Sequence, residues 1–388
     1  MMSIFDERID RRGSGSYKWD SSADSDVIPL WVADMDFRTA PAVLDALRSR
    51  VEHGVFGYVK VLPSYYEALT SWFERRHGWS IDPDRVVYTS GVVPALSAII
   101  KGLTRPGDGV ITQTPAYNCF FSSIRNNGCR LLDNPLIREE GPDGFTYRID
   151  YAGLEALAAD PSARLLILCN PHNPTGRVWT RDELERVAAI CRRHGVRVVS
   201  DEIHCELTMP GYSYTPYATV DEEAIVCCSP SKAFNIAGLQ IANIVAPDEA
   251  TQARIDRAIN DNEVCDVNPF GVVALEAAYN HGGQWLDELV QYLHGNYMML
   301  RRFFAEHLPA LAVGHLEATY LAWVDVRPLG VDSEELERIA LDRGKVWVNA
   351  GSMYGLDGYI RINMACPRAV LAEGLQRLAA VIANLNLI

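Results

Sequence analysis

Short apolar runs alternate with helical stretches between residues 84 and 245, and this alternation limits the possible folds more than any other feature. Each run is four to six residues long, which favours a strand over a helix. Helical spacing follows in Val93–Leu103 and in residues 181–194. Parallel strands need such long crossover connections. The pattern therefore predicts an α/β fold with a mainly parallel sheet sandwiched by helices. The predicted strands are Val86–Thr89, Gly109–Thr112, Leu165–Cys169, Val196–Asp201, Ala224–Cys228 and Ile241–Val245.

The pattern changes after residue 270. Residues 270–308 have a helical pattern with a break near Gly282-Gly283, and three further strands follow. They are predicted at Tyr320–Val326, Val346–Val348 and Tyr359–Asn363, in a smaller α+β domain. We therefore expect three parts: an N-terminal segment 1–45 that joins the small domain, a large α/β domain 46–280, and a small C-terminal α+β domain 281–388.

Composition excludes several functional classes. The net charge of −14 argues against nucleic acid as a partner, because phosphate binding needs clustered Lys and Arg. No apolar run reaches membrane-spanning length, and the N-terminus is too charged for a secretory signal. The nine cysteines form no CxxC pair, so we expect reduced core residues and no metal site. A cytoplasmic protein without a membrane partner is expected.

The segment from Ser229 to Asn235 contains a lysine, Lys232, just after the predicted strand Ala224–Cys228. The carboxyl end of a strand is where parallel α/β sheets usually carry their chemistry. A desolvated lysine can act as an amine nucleophile, which Schiff-base chemistry requires. The alternative is an ordinary surface lysine in a loop.

Two predicted features suit an anion such as phosphate. Gly91, Val92 and Val93 stand at a strand-to-helix junction, where backbone N–H groups point outward. Ser229 and Ser231 could add hydroxyl donors. The alternative is a plain helix cap without a ligand.

Three more candidates follow strands or lie on one. Asn173, in the turn Asn170–Gly176, could offer an amide donor to a ligand oxygen, with a turn that binds no ligand as the alternative. Asp201 is costly to bury unless it is paired, so it is expected to pair a protonated ring nitrogen or to cap a helix. Arg361 suits bidentate recognition of a carboxylate, with an internal ion pair as the alternative.

Together these motifs resemble a fold-type I, pyridoxal-phosphate-dependent enzyme of the aminotransferase class I/II superfamily. The resemblance implies that Lys232 forms the Schiff base, Asp201 pairs the pyridine nitrogen and Asn173 contacts the ring hydroxyl. It also implies that Arg361 holds the substrate α-carboxylate and that Tyr117 stacks on the ring. Tyr58 matches a tyrosine that reaches the neighbouring subunit's phosphate, which implies a homodimer with shared active sites.

Within the superfamily the sequence is similar to the MalY/PatB-type branch of cystathionine β-lyases and cysteine-S-conjugate lyases. The matching segments are Trp31–Phe37, Gly91–Pro94, Asp201–His204 and Ser229–Asn235. His204, a cofactor contact by this resemblance, and Gln240 stand where many aminotransferases carry tyrosine and arginine. Asn118 departs from the branch, where a second tyrosine is common. Ala33 and Asn118 are expected to shape the substrate pocket.

The resemblance implies a carbon–sulfur β-lyase acting on cystathionine or another S-substituted L-cysteine. Three alternatives remain open. The chain could be an aminotransferase, or a specialised enzyme that processes a bulky S-linked cysteine by β-elimination or oxidative decarboxylation. It could also be a non-catalytic regulatory protein that keeps only the fold.

Overall fold

A computed structural model describes residues 3–142, 144–263 and 266–385. In the described ranges the strands, in chain order, are β1 Ile28–Pro29, β2 Val86–Thr89, β3 Gly109–Thr112, β4 Arg130–Asp133, β5 Ile137–Gly141, β6 Gly144–Arg148, β7 Ala163–Cys169, β8 Arg197–Asp201, β9 Ile225–Cys228, β10 Ala242–Val245, β11 Ala312–Val313, β12 Leu321–Asp325, β13 Val346–Trp347, β14 Asn349–Ala350 and β15 Tyr359–Asn363. The α-helices are α1 Pro41–His53, α2 Pro63–His77, α3 Val92–Leu103, α4 Asn118–Asn126, α5 Tyr151–Ala158, α6 Arg181–His194, α7 Glu249–Asn260, α8 Pro269–His281, α9 Gly283–His307, α10 Ser333–Gly344 and α11 Arg368–Ala383.

The larger sheet has seven strands in the order β2-β10-β9-β8-β7-β3-β4. Neighbouring strands from β9 to β4 run parallel, whereas β10 is antiparallel to both β2 and β9. The strands β2, β7, β8 and β9 therefore share one direction, and their carboxyl ends meet at the same edge. In parallel α/β sheets this edge is where ligands bind.

Helices cover both faces of this sheet, and β7 shows why its sequence is apolar throughout. Leu165, Ile167 and Cys169 pack into one buried cluster that includes residues of α3 and α4. Leu166 and Leu168 pack into a second cluster on the opposite face, with residues of α5 and α6. A strand buried on both faces carries no polar alternation, as the sequence indicated.

The smaller sheet is antiparallel, in the order β11-β12-β15-β14. The N-terminal strand β1 pairs with β13, which brings the start of the chain beside its last third. Asn363 N donates to Leu30 O at 2.9 Å and continues this link. The predicted domain limits at residues 45 and 280 stay a prediction.

The α/β prediction is confirmed, and the predicted break near Gly282-Gly283 separates α8 from α9. The sequence did not predict β4, the β5–β6 hairpin or α4. None of the helices in the described ranges is both long and apolar enough to cross a membrane. The eight cysteines of these ranges are free, and Cys265 lies outside the described residues.

Candidate active site

A cavity opens at the carboxyl edge of the larger sheet, where four strands end. Asp201 ends β8, Asn173 follows β7, Lys232 follows β9 and Gly91 follows β2. Residues far apart in sequence therefore reach one site because their strands are parallel. The cavity is lined by Ala33, Ser90, Gly91, Val92, Val93, Pro94, Tyr117, Cys169, Asn173, Asp201, Ile203, His204, Ser231, Lys232, Ala237 and Ile241.

Lys232 lines the cavity and has no carboxylate partner among the described residues. Its Nζ donates to the backbone oxygen of Ala33 at 2.7 Å. Burial, together with the nearby Arg361 charge, lowers the pKa of Lys232 to about 8. About a tenth of this amine is therefore uncharged at pH 7, far more than for an ordinary lysine, and a nucleophile or general base must be uncharged.

Asp201 is 3% exposed and, among the described residues, its side chain accepts one hydrogen bond, from Ile203 N to Oδ1 at 3.2 Å. Burial raises the pKa of Asp201 to about 7. No ion pair in the described ranges compensates its charge. A carboxylate in this state gains most from a ligand that brings a cationic N–H group.

Arg361 and Asn173 contact each other beside the cavity. Arg361 Nη1 donates to Asn173 Oδ1 at 3.1 Å, and Nη2 donates to Trp31 O at 2.9 Å. The Arg361 Nε is buried without a partner, and no described acid pairs with this arginine, which is only 3% exposed. The internal ion pair considered above is therefore not found, and a ligand carboxylate would fit the guanidinium. No hydrogen bond within the described ranges uses the Nδ2 of Asn173, which lines the cavity with the rest of this residue.

The first turn of α3 faces the same cavity. Gly91 precedes the helix, which begins at Val92, and both residues line the cavity with Val93. Ser231 also lines it, but the Ser229 hydroxyl is turned away and donates to Ile241 O at 2.6 Å. Ser229 also accepts from Ser231 N at 3.0 Å, so it shapes the loop instead of lining the cavity.

His204 and Tyr117 complete the lining. His204 is 2% exposed, and its Nδ1 has no hydrogen-bond partner in the part of the chain that is described. Burial, then the charges of Lys232 and Arg361, lower the pKa of His204 to about 3, so the ring is neutral. Tyr117 precedes α4, and burial raises the pKa of its hydroxyl. Both aromatic side chains can contact a ring-shaped ligand while staying uncharged.

One wall of the cavity comes from residues 31–37, and its anchoring was not predicted. Ala33 O accepts from Lys232 and also from the buried Tyr320 hydroxyl at 2.9 Å. Asn235, three residues after Lys232, binds Met35 N at 2.9 Å and Phe37 O at 2.8 Å through its side chain. The wall is thereby tied to the lysine loop.

A charged cluster supports this wall from the other side. Asp36 binds Arg11 Nη1 at 2.7 Å and the fully buried Lys18 Nζ at 2.9 Å. Asp34 binds Arg11 Nη2 at 2.6 Å. Burial of Lys18 is compensated by these two acids, and the pKa of Lys18 is accordingly raised. The two acids of residues 31–37, Asp34 and Asp36, are therefore structural.

Besides Arg361 and Ser229, two further predicted site residues lie outside the lining. Tyr58 is 95% exposed, in a loop between α1 and α2. Asn118 is half-buried at the first position of α4, next to Tyr117. The structure therefore brings neither residue to the cavity of its own chain.

A further group of potential metal ligands, His77, Cys205 and Glu206, lies outside the cavity lining. Glu206 already accepts from His77, from Trp72 at 2.6 Å and from Arg76 at 3.2 Å. Burial also raises the pKa of Cys205. The group therefore acts as a buried hydrogen-bond network.

The fold is found in known proteins. A model of the family aminotransferase class I and II matches residues 25–378. The chain is 40% identical over 388 residues to cystathionine β-lyase PatB of Bacillus subtilis (strain 168), covering 97% of this chain and 99% of that protein. The structure of cystalysin from Treponema denticola, which contains pyridoxal 5'-phosphate, is similar with a TM-score of 0.94 and 33% identity, covering 99% of this chain and 100% of that chain. The PLP-bound C–S lyase from Staphylococcus hominis gives a TM-score of 0.91 and 34% identity, covering 98% of each chain.

Proposed function

The chain belongs to the aminotransferase class I and II family, and from this premise we propose that it is a pyridoxal-phosphate-dependent carbon–sulfur β-lyase. Its substrate is cystathionine or another S-substituted L-cysteine. The reaction breaks the Cβ–S bond and, with water, yields a thiol, pyruvate and ammonia. The relatives named as cystathionine β-lyase and as C–S lyase support this choice.

One observation carries the proposal: an amine with a pKa lowered to about 8 shares a cavity with an unpaired buried carboxylate. Lys232 suits the cofactor aldehyde, Asp201 its ring nitrogen, and Asn173 with His204 its ring oxygen. The N-terminus of α3 and the Ser231 hydroxyl suit the phosphate. The donor set therefore fits pyridoxal phosphate at each polar atom.

The substrate carboxylate is bound by Arg361. Its guanidinium is held by Asn173 and by Trp31 O, so its planar fork is fixed before a ligand arrives. A fixed bidentate fork orients the α-amino acid and sets the direction of its Cα–H bond. With its amine free in the cavity, Lys232 would accept the Cα proton on Nζ.

When bound, pyridoxal phosphate supplies the electron sink for the bond broken at Cα. Asp201 keeps a proton on the ring nitrogen, which makes that sink effective. The wall at residues 31–37 and the sheet edge exclude water around Lys232, which keeps the pKa of its amine low. The same residues would support transamination, so the fate of the β-carbon needs a direct experiment.

The purified, cofactor-loaded protein should therefore convert L-cystathionine to pyruvate and homocysteine in equal amounts without an oxo-acid. Both products are measured by mass spectrometry, with and without oxygen. Product that appears only after addition of an oxo-acid would instead identify an aminotransferase. A change in cofactor absorbance without any product would favour a bulky S-linked substrate, for which Asn118 gives a reason.

We also propose that the active unit is a homodimer with shared sites. The loop around Tyr58 exposes Val55 and Phe56 by 63% and 54%, beside Val51 and Leu62 at 56% and 57%. An apolar patch of this kind is usually covered by a partner.

Light scattering should give twice the chain mass of 43.1 kDa. Tyr58→Ala should weaken cofactor binding while the dimer persists, and a monomer with full cofactor affinity would contradict shared sites.

A further inference from the structure

Cys169 ends β7 and lies between two residues assigned above to the cofactor ring. It is 3% exposed, and its side chain lines the cavity. Its thiol donates to Pro171 O at 3.3 Å and accepts from Asn173 N at 3.4 Å. One sulfur therefore closes the turn that carries Asn173. Its backbone oxygen is also fixed, because Trp179 Nε1 donates to it at 2.9 Å.

The strand register places the same cysteine beside Asp201. Cys169 and Asp201 are paired across β7 and β8, and Asp201 is paired with Cys227 across β8 and β9. Paired residues of neighbouring strands point to the same face of a sheet and are about 5 Å apart. Burial and the nearby carboxylate raise the pKa of the Cys169 thiol, so it stays protonated. A thiol is a weak donor, so its presence leaves the Asp201 charge uncompensated.

We propose that Cys169 is a positioning residue that holds the Asn173 amide toward the cofactor's ring oxygen through its two contacts with the turn. The inference rests on the proposed function, because that function supplies the cofactor. A packing role alone would need only an apolar side chain. The two hydrogen bonds of the sulfur, both inside the turn, distinguish Cys169 from the other buried cysteines of the sheet.

Cys227 provides a matched control. It is a cysteine on the same sheet, in the same buried cluster, and flanks Asp201 from the opposite strand. It forms no hydrogen bond with the turn in the part of the chain that the structure describes. A change at Cys227 therefore perturbs the surroundings of Asp201 and leaves the anchoring of Asn173 unchanged.

The experiment compares Cys169→Ala, Cys169→Ser and Cys227→Ala in the cofactor-loaded full chain. For each variant we measure the dissociation constant of pyridoxal phosphate, the pH at which its visible absorption band changes, and the thermal unfolding midpoint. A donor on the ring oxygen favours its ionised form. Loosening Asn173 should therefore move the pH of that change upward in Cys169→Ala, by about half a unit.

The dissociation constant should rise about fivefold in Cys169→Ala, the value expected for one lost hydrogen bond. Serine keeps one donor and one acceptor. In Cys169→Ser the dissociation constant and the pH of the absorbance change should therefore both stay close to those of the unmodified protein. Cys227→Ala should leave the affinity within about twofold, because it lacks contacts with the turn. The thermal unfolding midpoint of Cys227→Ala measures how much stability is lost when a buried sulfur is removed from this sheet. The same loss of packing is expected in Cys169→Ala.

A double variant separates positioning from packing. If Cys169 acts through Asn173, then Cys169→Ala should have no further effect on the pH of the absorbance change in an Asn173→Ala background. Additive shifts would overturn the proposal, as would equal shifts in Cys169→Ala and Cys227→Ala. Failure of the cofactor assignment would show separately, since the unmodified chain would then bind no pyridoxal phosphate and have no visible band. Failure of the lyase assignment would show in the product assay and would leave the visible band in place.

Discussion

Lys232→Ala should abolish the visible absorbance of the bound cofactor and lower turnover by at least about 10³-fold, since both covalent binding and proton transfer are lost. The loss follows from the position of this side chain. Lys232 is the described lysine that lines the cavity, and burial lowers the pKa of its amine to about 8. No neighbouring amine can replace it there. The measurement is an absorbance spectrum with a pyruvate assay on the same sample.

Lys345→Ala is the matched control for this change. Lys345 lies at the surface and pairs with Asp24 at 2.9 Å. Because an exposed ion pair contributes little stability, Lys345→Ala should keep the cofactor absorbance and the turnover of the unmodified protein. Reduction of the unmodified protein with borohydride should attach the cofactor to the peptide that contains Lys232. Full activity in Lys232→Ala, or attachment at another lysine, would exclude the assigned role.

The parts of the site that follow strands were predictable from sequence. Lys232, Asp201 and Asn173 each come directly after a short apolar run, and parallel strands bring such positions to one edge. Arg361 was predictable because β15 is apolar on both sides of it and buried throughout. In these cases a local pattern and one topological rule determine the location.

The wall at residues 31–37 could not be predicted in the same way. Its backbone oxygens accept from side chains that come from distant parts of the chain, including Lys18, Asn235, Tyr320 and Asn363. Such contacts depend on tertiary packing and leave no periodic signal in the sequence. The contact of the Ser229 hydroxyl with Ile241 O at 2.6 Å is of the same kind, and the sequence gives no sign of it.

Asp201→Asn should lower turnover by about 10²- to 10³-fold, the cost of removing one partner from a buried charge pair. Asparagine keeps the shape of the side chain but cannot hold a proton on the ring nitrogen. Lys232 and the phosphate contacts are unchanged, so the cofactor should still bind. The assay is pyruvate release from cofactor-saturated protein. A variant with unaltered turnover would exclude charge pairing as the role of Asp201.

The same variant should change the pH dependence of stability in the cofactor-free protein. Burial raises the pKa of Asp201 from its ordinary value of 3.8 to about 7, so the folded chain binds a proton more tightly than the unfolded chain does. The free energy of unfolding should therefore fall as pH rises from about 4 to 7, by up to about 4 kcal/mol from this group. Glu202, whose pKa burial also raises to about 7, contributes in the same direction and remains in the variant. Denaturant unfolding at about pH 4 and about pH 7 measures this decrease in the free energy of unfolding. In Asp201→Asn the decrease should be roughly half of that in the unmodified protein. An identical loss in both proteins would mean that Asp201 is already compensated before any ligand binds.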